Sequence, residues 1–146
     1  MFNWLMRLLA GIGMLALTAC SGMVLGGQAS CTGSTLMLTQ VTGECSRTFD
    51  ELSETANEGL GVQTADVAPF TTVDYEVTVE SGRVAVTFTD FHGNKQTDEA
   101  TPTSPVTGSV RVQLDPLNRI NFSLEPLDGP AEGVEYNLKF VCDCMP

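Results

Sequence analysis

The stretch VDYEVTVESGRVAVTF, residues 73–88, decides the fold. Apolar and polar residues alternate over 73–79 and again over 84–88, on either side of Ser81-Gly82. Because successive side chains of a strand point to opposite faces, each alternating run predicts a half-buried β-strand. Two such runs around a short turn that contains glycine predict a β-hairpin.

Further alternating runs continue this pattern through the C-terminal half of the chain. A second hairpin is predicted over 110–124, where two runs flank the turn sequence Asp115-Pro116-Leu117-Asn118. Strands are also predicted at 35–41 (TLMLTQV) and at 134–140. Loops of turn composition separate the strands at 92–105 and 126–133. This spacing predicts a mainly β domain, either an antiparallel β-sandwich (Ig-like or similar) or a small barrel.

One segment carries a helical pattern. Thr48 is followed three residues later by Glu51, which has the form of a capping box at a helix N-terminus. Apolar residues then recur at the spacing of one helical face: Phe49, Leu52, Ala56 and Leu60. The segment therefore predicts a short helix near residues 49–58.

The overall composition limits the class of protein. The chain has 146 residues, of which 18 are acidic and 7 basic, and its formal net charge is -11. This length corresponds to a single domain. Nucleic-acid binding requires a cationic surface that neutralises phosphates, so the charge argues against a nucleic-acid partner. The hydrophobic content of 42% is sufficient for a packed core and argues against a disordered acidic tail.

The N-terminus has the pattern of an export signal. Arg7 precedes an uncharged apolar run over residues 8–19, as in a secretory signal peptide. The run ends in Leu17-Thr18-Ala19-Cys20, which resembles the lipobox of bacterial lipoprotein precursors. The resemblance implies that the chain is cleaved before Cys20 and that the Cys20 thiol carries a diacylglyceryl group. Because Ser21 and not Asp follows, it also implies the outer membrane in a Gram-negative host, and the outer leaflet of a Gram-positive membrane stays open as the alternative.

This resemblance divides the chain into three parts. Residues 1–19 are a lipoprotein signal peptide, residues 20–30 are the lipidated cysteine and a flexible tether, and residues 31–146 are a single β-rich domain. Three other interpretations stay open. Leu8 to Gly27 could span a bilayer, although five glycines dilute it and no anchoring aromatic or charged residue follows. Ordinary signal cleavage would release a soluble protein, or Cys20 could belong to the fold.

Four cysteines remain in the body: Cys31, Cys45, Cys142 and Cys144. In an exported domain, four cysteines most often form two disulfides. Alternation places Cys142 and Cys144 on the core-facing side of the last strand, and residues two apart seldom bridge each other without strain. We therefore expect 31–142 with 45–144, or 31–144 with 45–142. Either bridge closes a loop of about 100 residues, for which the chain-entropy model gives roughly 4 to 5 kcal/mol.

A four-thiolate zinc site is the alternative use of these cysteines. Structural zinc sites usually contain two closely spaced cysteine pairs, whereas Cys31 and Cys45 stand apart. Export to an oxidising compartment also favours disulfides. We therefore predict no metal ligand and no cofactor.

The sequence offers few residues for catalysis. His92 is the only histidine, and no G-x-S-x-G motif accompanies it, so we interpret it as an exposed loop residue. The acidic residues Asp90, Asp98 and Glu99 do not have the spacing of a calcium loop. Asn121-Phe122-Ser123 matches a glycosylation triplet, a pattern that also arises by chance. No catalytic residue is predicted.

These observations lead to one main hypothesis about function. The protein is expected to be a membrane-anchored envelope lipoprotein with a non-enzymatic binding or structural β-domain. Its partners would be the membrane, through Cys20, and an envelope protein or a glycan. A small-ligand or glycan-binding module on the cell surface is the alternative, with Phe91 as its best exposed aromatic candidate. An envelope enzyme is a third hypothesis, against which the missing nucleophile, base and metal patterns argue.

Overall fold

The computed structural model describes residues 29–36 and 40–146. The predicted signal peptide, Cys20 and most of the predicted tether lie outside the described residues. Over the described ranges the chain forms nine β-strands and no helix, so none of these residues belongs to a helix able to cross a membrane. The strands are β1 Ser30–Leu36, β2 Gln40–Leu52, β3 Ala56–Gly61, β4 Phe70–Thr78, β5 Val84–Thr89, β6 Lys95–Ala100, β7 Val106–Gln113, β8 Arg119–Pro126 and β9 Ala131–Cys142.

The strands form two antiparallel sheets that pack face to face. Sheet A has the order β1-β2-β9-β4-β7, and sheet B has the order β3-β8-β5-β6. Strands β2 to β9 thus form two four-stranded sheets with the topology of a jelly roll, to which β1 adds a fifth strand at the edge of sheet A. The predicted antiparallel β-sandwich is confirmed.

The core lies between the sheets, where side chains alternate between buried and exposed along β4 and β9. Four aromatic rings cross it in a row, with successive centroids 4.7, 5.4 and 5.1 Å apart: Tyr75, Phe88, Phe122 and Tyr136. The two tyrosines belong to sheet A and the two phenylalanines to sheet B. Each such ring pair adds about 0.5 to 1.5 kcal/mol beyond the area that it buries, so the row holds the two sheets together.

The predicted strands around both turns are present, but their pairing into hairpins is wrong. Residues 73–79 fall largely in β4 of sheet A, whereas 84–88 fall in β5 of sheet B. Residues 79–83 therefore form an arch between the sheets, and the Ser81 N–H donates to the Glu132 carbonyl at 3.2 Å. Strands β7 and β8 likewise belong to different sheets. Alternation identifies the buried side of a strand but not its neighbour, because facing sheets bury their apolar sides in one core.

The predicted helix near residues 49–58 is wrong. Strand β2 continues to Leu52, which pairs with Ala131, and β3 begins at Ala56. Both Phe49 and Leu52 pack on the core although they are three residues apart. The same three-residue interval separates the buried residues Ala131 and Val134 of the neighbouring strand β9, where Gly133 has a φ of 56°. A local slip in strand alternation, shared by two paired strands, thus imitates helical spacing.

A buried charge hides the alternation in the rest of that segment. In β3, Leu60 is 1% exposed and Ala56 packs on the core, and Glu58 is buried between them. Inward positions two apart are typical of a strand. A charged residue at the middle inward position, here Glu58, interrupts the apolar alternation by which a strand is recognised in a sequence.

Two other boundaries differ from the prediction. The predicted strand at 35–41 spans the end of β1 and the start of β2, and the chain reverses there so that Leu36 pairs with Gln40. The predicted loop at 92–105 contains the edge strand β6. This strand is mostly exposed, and only Ala100 of its residues is buried. Polar and charged side chains are usual on edge strands because they oppose pairing with other chains.

The two predicted disulfides are present, but both predicted connectivities are wrong. The structure joins Cys31 to Cys45 and Cys142 to Cys144. Cys31 and Cys45 are directly opposite each other in the β1–β2 ladder, with Cα atoms 4.1 Å apart. Strand β9 ends at Cys142, so the chain is not extended through Cys144, and these Cα atoms lie 5.2 Å apart. A fully extended segment would separate them by about 6.6 Å, so the end of the strand brings the two thiols together.

Candidate functional site

His92 lies in the turn between β5 and β6 and is exposed, as predicted. Asp90 organises this turn, because its carboxylate accepts hydrogen bonds from the backbone N–H groups of His92 and Asn94 at 2.9 and 2.8 Å. The side-chain amide of Asn94 also donates to Asp90 at 2.8 Å, and this bond and the backbone bonds lower the pKa of Asp90. Asp90 is therefore a turn-forming residue.

The acidic residues considered for calcium do not lie together. Asp98 points from β6 into the sandwich, where it accepts a hydrogen bond from the Tyr75 hydroxyl. Glu99 lies on the opposite face of β6 and pairs with Arg83 at 2.6 Å, which lowers the pKa of Glu99. Across the part of the chain that the structure describes, no group of three or more His, Cys, Asp or Glu side chains could hold a metal ion.

The hydrogen bond between Tyr75 and Asp98 joins sheet A to sheet B. Gln96 donates to the Tyr75 oxygen at 3.2 Å, from the same strand as Asp98. The Tyr75 ring reaches Asp98 by lying over Gly108 of the neighbouring strand β7, where a Cβ atom would be 2.5 Å from the phenol oxygen. Burial and the bond to Asp98 raise the pKa of Tyr75. The phenol therefore stays protonated and acts as a donor, and Gly108 leaves the space that it needs.

A second polar link between the sheets is centred on Glu58, which the sequence analysis did not identify. The side chain of Glu58 is 1% exposed and pairs with Arg47 at 2.5 Å, and it also accepts a hydrogen bond from the Tyr136 hydroxyl at 3.2 Å. Burial raises the pKa of Glu58, and the charge of Arg47 opposes this rise. Burial and the charge of Glu58 raise the pKa of Tyr136. The Arg47 guanidinium also lies 4.1 Å from the centroid of the Phe49 ring.

The glycosylation triplet lies on β8, where Asn121 belongs to a hydrogen-bonded turn. Its side-chain amide donates to Asp115 at 3.0 Å. Asp115 also accepts from the backbone N–H groups of Leu117 and Arg119, both at 2.9 Å, and from the Arg119 side chain at 2.8 Å. Burial opposes ionisation of Asp115, but the bonds from Asn121 and Arg119 outweigh it and lower the pKa. Asn121 thus helps to close the turn between β7 and β8.

An open depression of about 430 Å³ lies over β1, β2 and β9. Its lining includes the ion pair between Lys139 and Glu44, whose charged atoms are 3.6 Å apart. Three hydroxyl side chains lie beside this pair: Thr32, Ser34 and Thr42. Hydroxyl, ammonium and carboxylate groups at the mouth of a depression can hydrogen-bond a polar ligand.

One end of the sandwich, here called the apolar end, consists of residues 62–69, 90–94, 114–118 and 143–146. Among the residues described, six large apolar side chains are exposed by 40% to 83%. Each lies in the apolar end or within two residues of it: Val67, Phe70, Phe91, Leu117, Val141 and Met145.

Hydrogen bonds hold the parts of the apolar end together. The Asn118 side chain accepts from the Ala68 N–H at 3.1 Å and donates to the Asp66 carbonyl at 2.9 Å. The Met145 N–H donates to the Asp66 carboxylate at 2.9 Å. The loop before β4, the turn before β8 and the C-terminal segment therefore form one connected surface.

The opposite end, here called the acidic end, consists of the connections 53–55, 79–83, 101–105 and 127–130. Seven exposed carboxylates lie in these connections or within two residues of them: Glu51, Glu54, Glu80, Glu99, Glu125, Asp128 and Glu132. Arg83 is the one basic residue within the same limits, and it binds Glu99 and Asp128 at 2.6 Å each. Within two residues of the apolar end there are four acidic and two basic residues, so the charge of the described domain is unevenly distributed.

Comparison with known proteins supports the fold. No protein-family model matches the chain, and no curated protein matches it either. A solved subunit of the disulfide-linked pili that form Bacillus endospore appendages is 13% identical, with 88% of this chain and 97% of that chain covered and a TM-score of 0.50. A carbohydrate-binding module from Cellvibrio mixtus lichenase 5A is 16% identical, with coverages of 80% and 90% and a TM-score of 0.37. At these identities, the likeness to the pilus subunit concerns the fold alone, and the second similarity is too low for any conclusion.

Proposed function

We propose that this protein is an envelope lipoprotein, anchored through an acylated Cys20, whose β-sandwich is a non-enzymatic binding or structural module. The resemblance of residues 17–20 to a lipobox supports the anchor. The first strand of the domain begins at Ser30, ten residues after Cys20, which leaves a short connection between the membrane and the domain. The outer membrane is the expected location because Ser21 follows the anchored cysteine.

The observation that carries the non-enzymatic part is the structural use of the polar side chains. Glu58 and Asp98, which point into the sandwich, each bind a residue of the other sheet. Asp90 and Asp115 close turns through several hydrogen bonds each. The disulfide between Cys31 and Cys45 closes the edge of sheet A. These side chains and the disulfide stabilise the fold and keep it rigid, as suits a module that binds a partner through its surface.

The anchor is tested on the full-length chain in a bacterial host. The wild-type protein should incorporate a clickable fatty acid and float with membranes, whereas Cys20→Ser should do neither. Ser21→Ala is the matched control and should behave as the wild-type protein, while Ser21→Asp should move it from the outer to the inner membrane. Label on Cys20→Ser, or flotation without label, would contradict the proposed anchor. Turnover of substrates in a hydrolase panel would contradict a non-enzymatic role.

The depression over β1, β2 and β9 favours a second candidate function, a glycan-binding module. Its hydroxyl groups and the Lys139–Glu44 pair are suited to the hydroxyl groups of a sugar. A glycan array with the purified protein tests this function. Lys139→Ala should abolish a specific signal, whereas Lys95→Ala, on an edge strand of the other sheet, should preserve it. The Phe91→Ala variant distinguishes a site at the β5–β6 turn from the depression.

A further inference from the structure

We propose that the apolar end of the sandwich rests on the lipid bilayer to which Cys20 anchors the chain. This inference rests on the proposed lipoprotein anchor. It adds an orientation, in which the apolar end faces the membrane and the acidic end faces away from it.

The first argument is the concentration of exposed apolar side chains at one end. Exposed apolar residues that are scattered over a surface are ordinary, whereas a continuous patch marks a contact with a protein or a membrane. Here all six large exposed apolar residues of the described chain lie at or beside the apolar end. Interfacial membrane binding buries such side chains about 5 to 10 Å into the boundary between headgroups and acyl chains.

The second argument is that these side chains belong to neighbouring segments. Phe70 pairs with Gln113, and the N–H of Phe91 donates to the carbonyl of that same Gln113 at 3.1 Å. Leu117 precedes Asn118, whose side chain binds the loop that carries Val67. Segments from different parts of the sequence, each with an exposed apolar residue, are therefore held next to one another by these hydrogen bonds.

The third argument is the distribution of charge. Anionic lipid headgroups repel carboxylates and attract cations. The seven exposed carboxylates of the acidic end oppose contact with such a surface, whereas fewer acidic and more basic residues lie near the apolar end. The Arg111 guanidinium also lies 4.5 Å from the centroid of the Phe70 ring, beside the apolar end. Repulsion between the membrane and the carboxylates therefore favours the same orientation as burial of the apolar side chains, with the apolar end toward the bilayer.

The fourth argument is the reach of the chain between Cys20 and the domain. Ser30 pairs with Ser46, six residues along β2 from its start at Gln40, which is about 20 Å from the apolar end. Ten residue steps from Cys20 to Ser30 span at most about 33 to 36 Å. The anchored chain can therefore place the apolar end against the bilayer. The anchor also makes the bilayer available to this surface at a high effective concentration, which a diffusing protein partner lacks.

Tryptophan fluorescence on vesicles tests the orientation. The only tryptophan of the chain is Trp4, which lies in the predicted signal peptide, so the acylated mature protein has none and one introduced tryptophan reports alone. Val67→Trp places the probe in the apolar end, and Thr103→Trp places a matched exposed probe in the acidic end. The acylated mature variants are inserted into vesicles of phosphatidylcholine with and without bromine on the acyl chains, because bromine quenches tryptophan at short range.

Bromine should reduce the fluorescence of Val67→Trp by about twofold and should leave that of Thr103→Trp unchanged, since only the first probe reaches the acyl boundary. Circular dichroism should show the same β-structure in both variants. If both variants float with the vesicles but are equally quenched or equally unquenched, the orientation is overturned and the anchor stands. If neither floats, the proposed anchor fails, and the inference fails with it. A second copy or a protein bound to the apolar end would give flotation without quenching, which also overturns the proposal.

Discussion

The buried ion pair between the sheets offers a quantitative test of the structure. Arg47→Met removes the positive charge and leaves the Glu58 carboxylate, 1% exposed, with the Tyr136 hydroxyl as a remaining donor. Removing one partner of a buried ion pair costs about 3 to 5 kcal/mol, because the other charge stays buried without compensation. The Arg47 side chain is 21% exposed, so water reaches this pair from one side. We therefore expect a loss of about 3 kcal/mol, the lower limit of that range.

Urea denaturation with the disulfides intact measures this loss as a change in the free energy of unfolding. Replacing both partners, as in Arg47→Met with Glu58→Leu, should recover most of the stability, because an apolar pair of similar volume needs no charge compensation. Arg83→Met is the control, since it breaks two exposed ion pairs and should leave the midpoint almost unchanged. A loss below about 1 kcal/mol for Arg47→Met, or a double variant as unstable as the single one, would refute the reasoning.

The pH dependence of the stability of Arg47→Met tests whether the uncompensated charge of Glu58 causes the loss. Burial raises the pKa of Glu58 above its ordinary value, and the charge of Arg47 limits this rise. Without Arg47 the folded-state pKa should rise further. A carboxyl with a raised pKa in the folded state favours folding at low pH, and this contribution is lost as the pH rises through the folded-state pKa. The cost of Arg47→Met should therefore be smaller at pH 4 than at pH 7.5, and equal costs would contradict the assignment.

Three further predictions concern the core and the edge of the sandwich. Gly108→Ala should destabilise the fold by about 1 to 3 kcal/mol because its Cβ would meet the Tyr75 ring, whereas Gly61→Ala, with open space around its Cβ, should have little effect on the thermal midpoint. Tyr75→Phe should cost about 1 to 3 kcal/mol in urea, since it leaves Asp98 without its donor from sheet A. Peptide mapping without reductant should recover Cys31 joined to Cys45, and a peptide that joins Cys31 to Cys142 or Cys144 would exclude this pairing. Replacing both Cys31 and Cys45 with alanine should lower the free energy of unfolding by about 3 kcal/mol, as expected for a sequence separation of 14.

The strands that the sequence predicted correctly are those whose inner face is mainly apolar. Strand β4, with Val73, Tyr75 and Val77 inward, and strand β9 from Val134 onward follow this rule. Strands β6 and β3 were missed because a charged residue occupies an inward position in each, whereas the end of β2 was missed because its alternation slips between Phe49 and Leu52. Asp98 and Glu58 are tolerated there because residues of the opposite sheet bind them. Arg47 lies 11 residues from Glu58 and Tyr75 lies 23 residues from Asp98, which is beyond the range of an alternation pattern within one strand.

The disulfides were likewise predicted in part: their number was predicted correctly from the sequence, and their pairing depended on the tertiary structure. Four cysteines behind a predicted export signal were sufficient to predict two bridges. A bridge between residues two apart was disfavoured on the assumption that the last strand continues through Cys144. The strand ends at Cys142, and the two thiols then lie close enough to join. Cys31 and Cys45 pair because β1 and β2 form an antiparallel ladder, in a region where the sequence predicted only one strand.

The sequence by itself determined that this is an acidic, mainly β domain, because composition and period-two alternation are local properties of the chain. The export signal and the lipobox stay predictions. Only the tertiary structure decided which strands are neighbours, since an arch and a hairpin bury the same alternating residues and differ only in the sheet to which the second strand belongs. The collection of Val67, Phe70, Phe91 and Leu117 at one end was likewise decided by topology. These residues come from three connections that are far apart in sequence, and the jelly-roll order brings those connections to the same edge of the core.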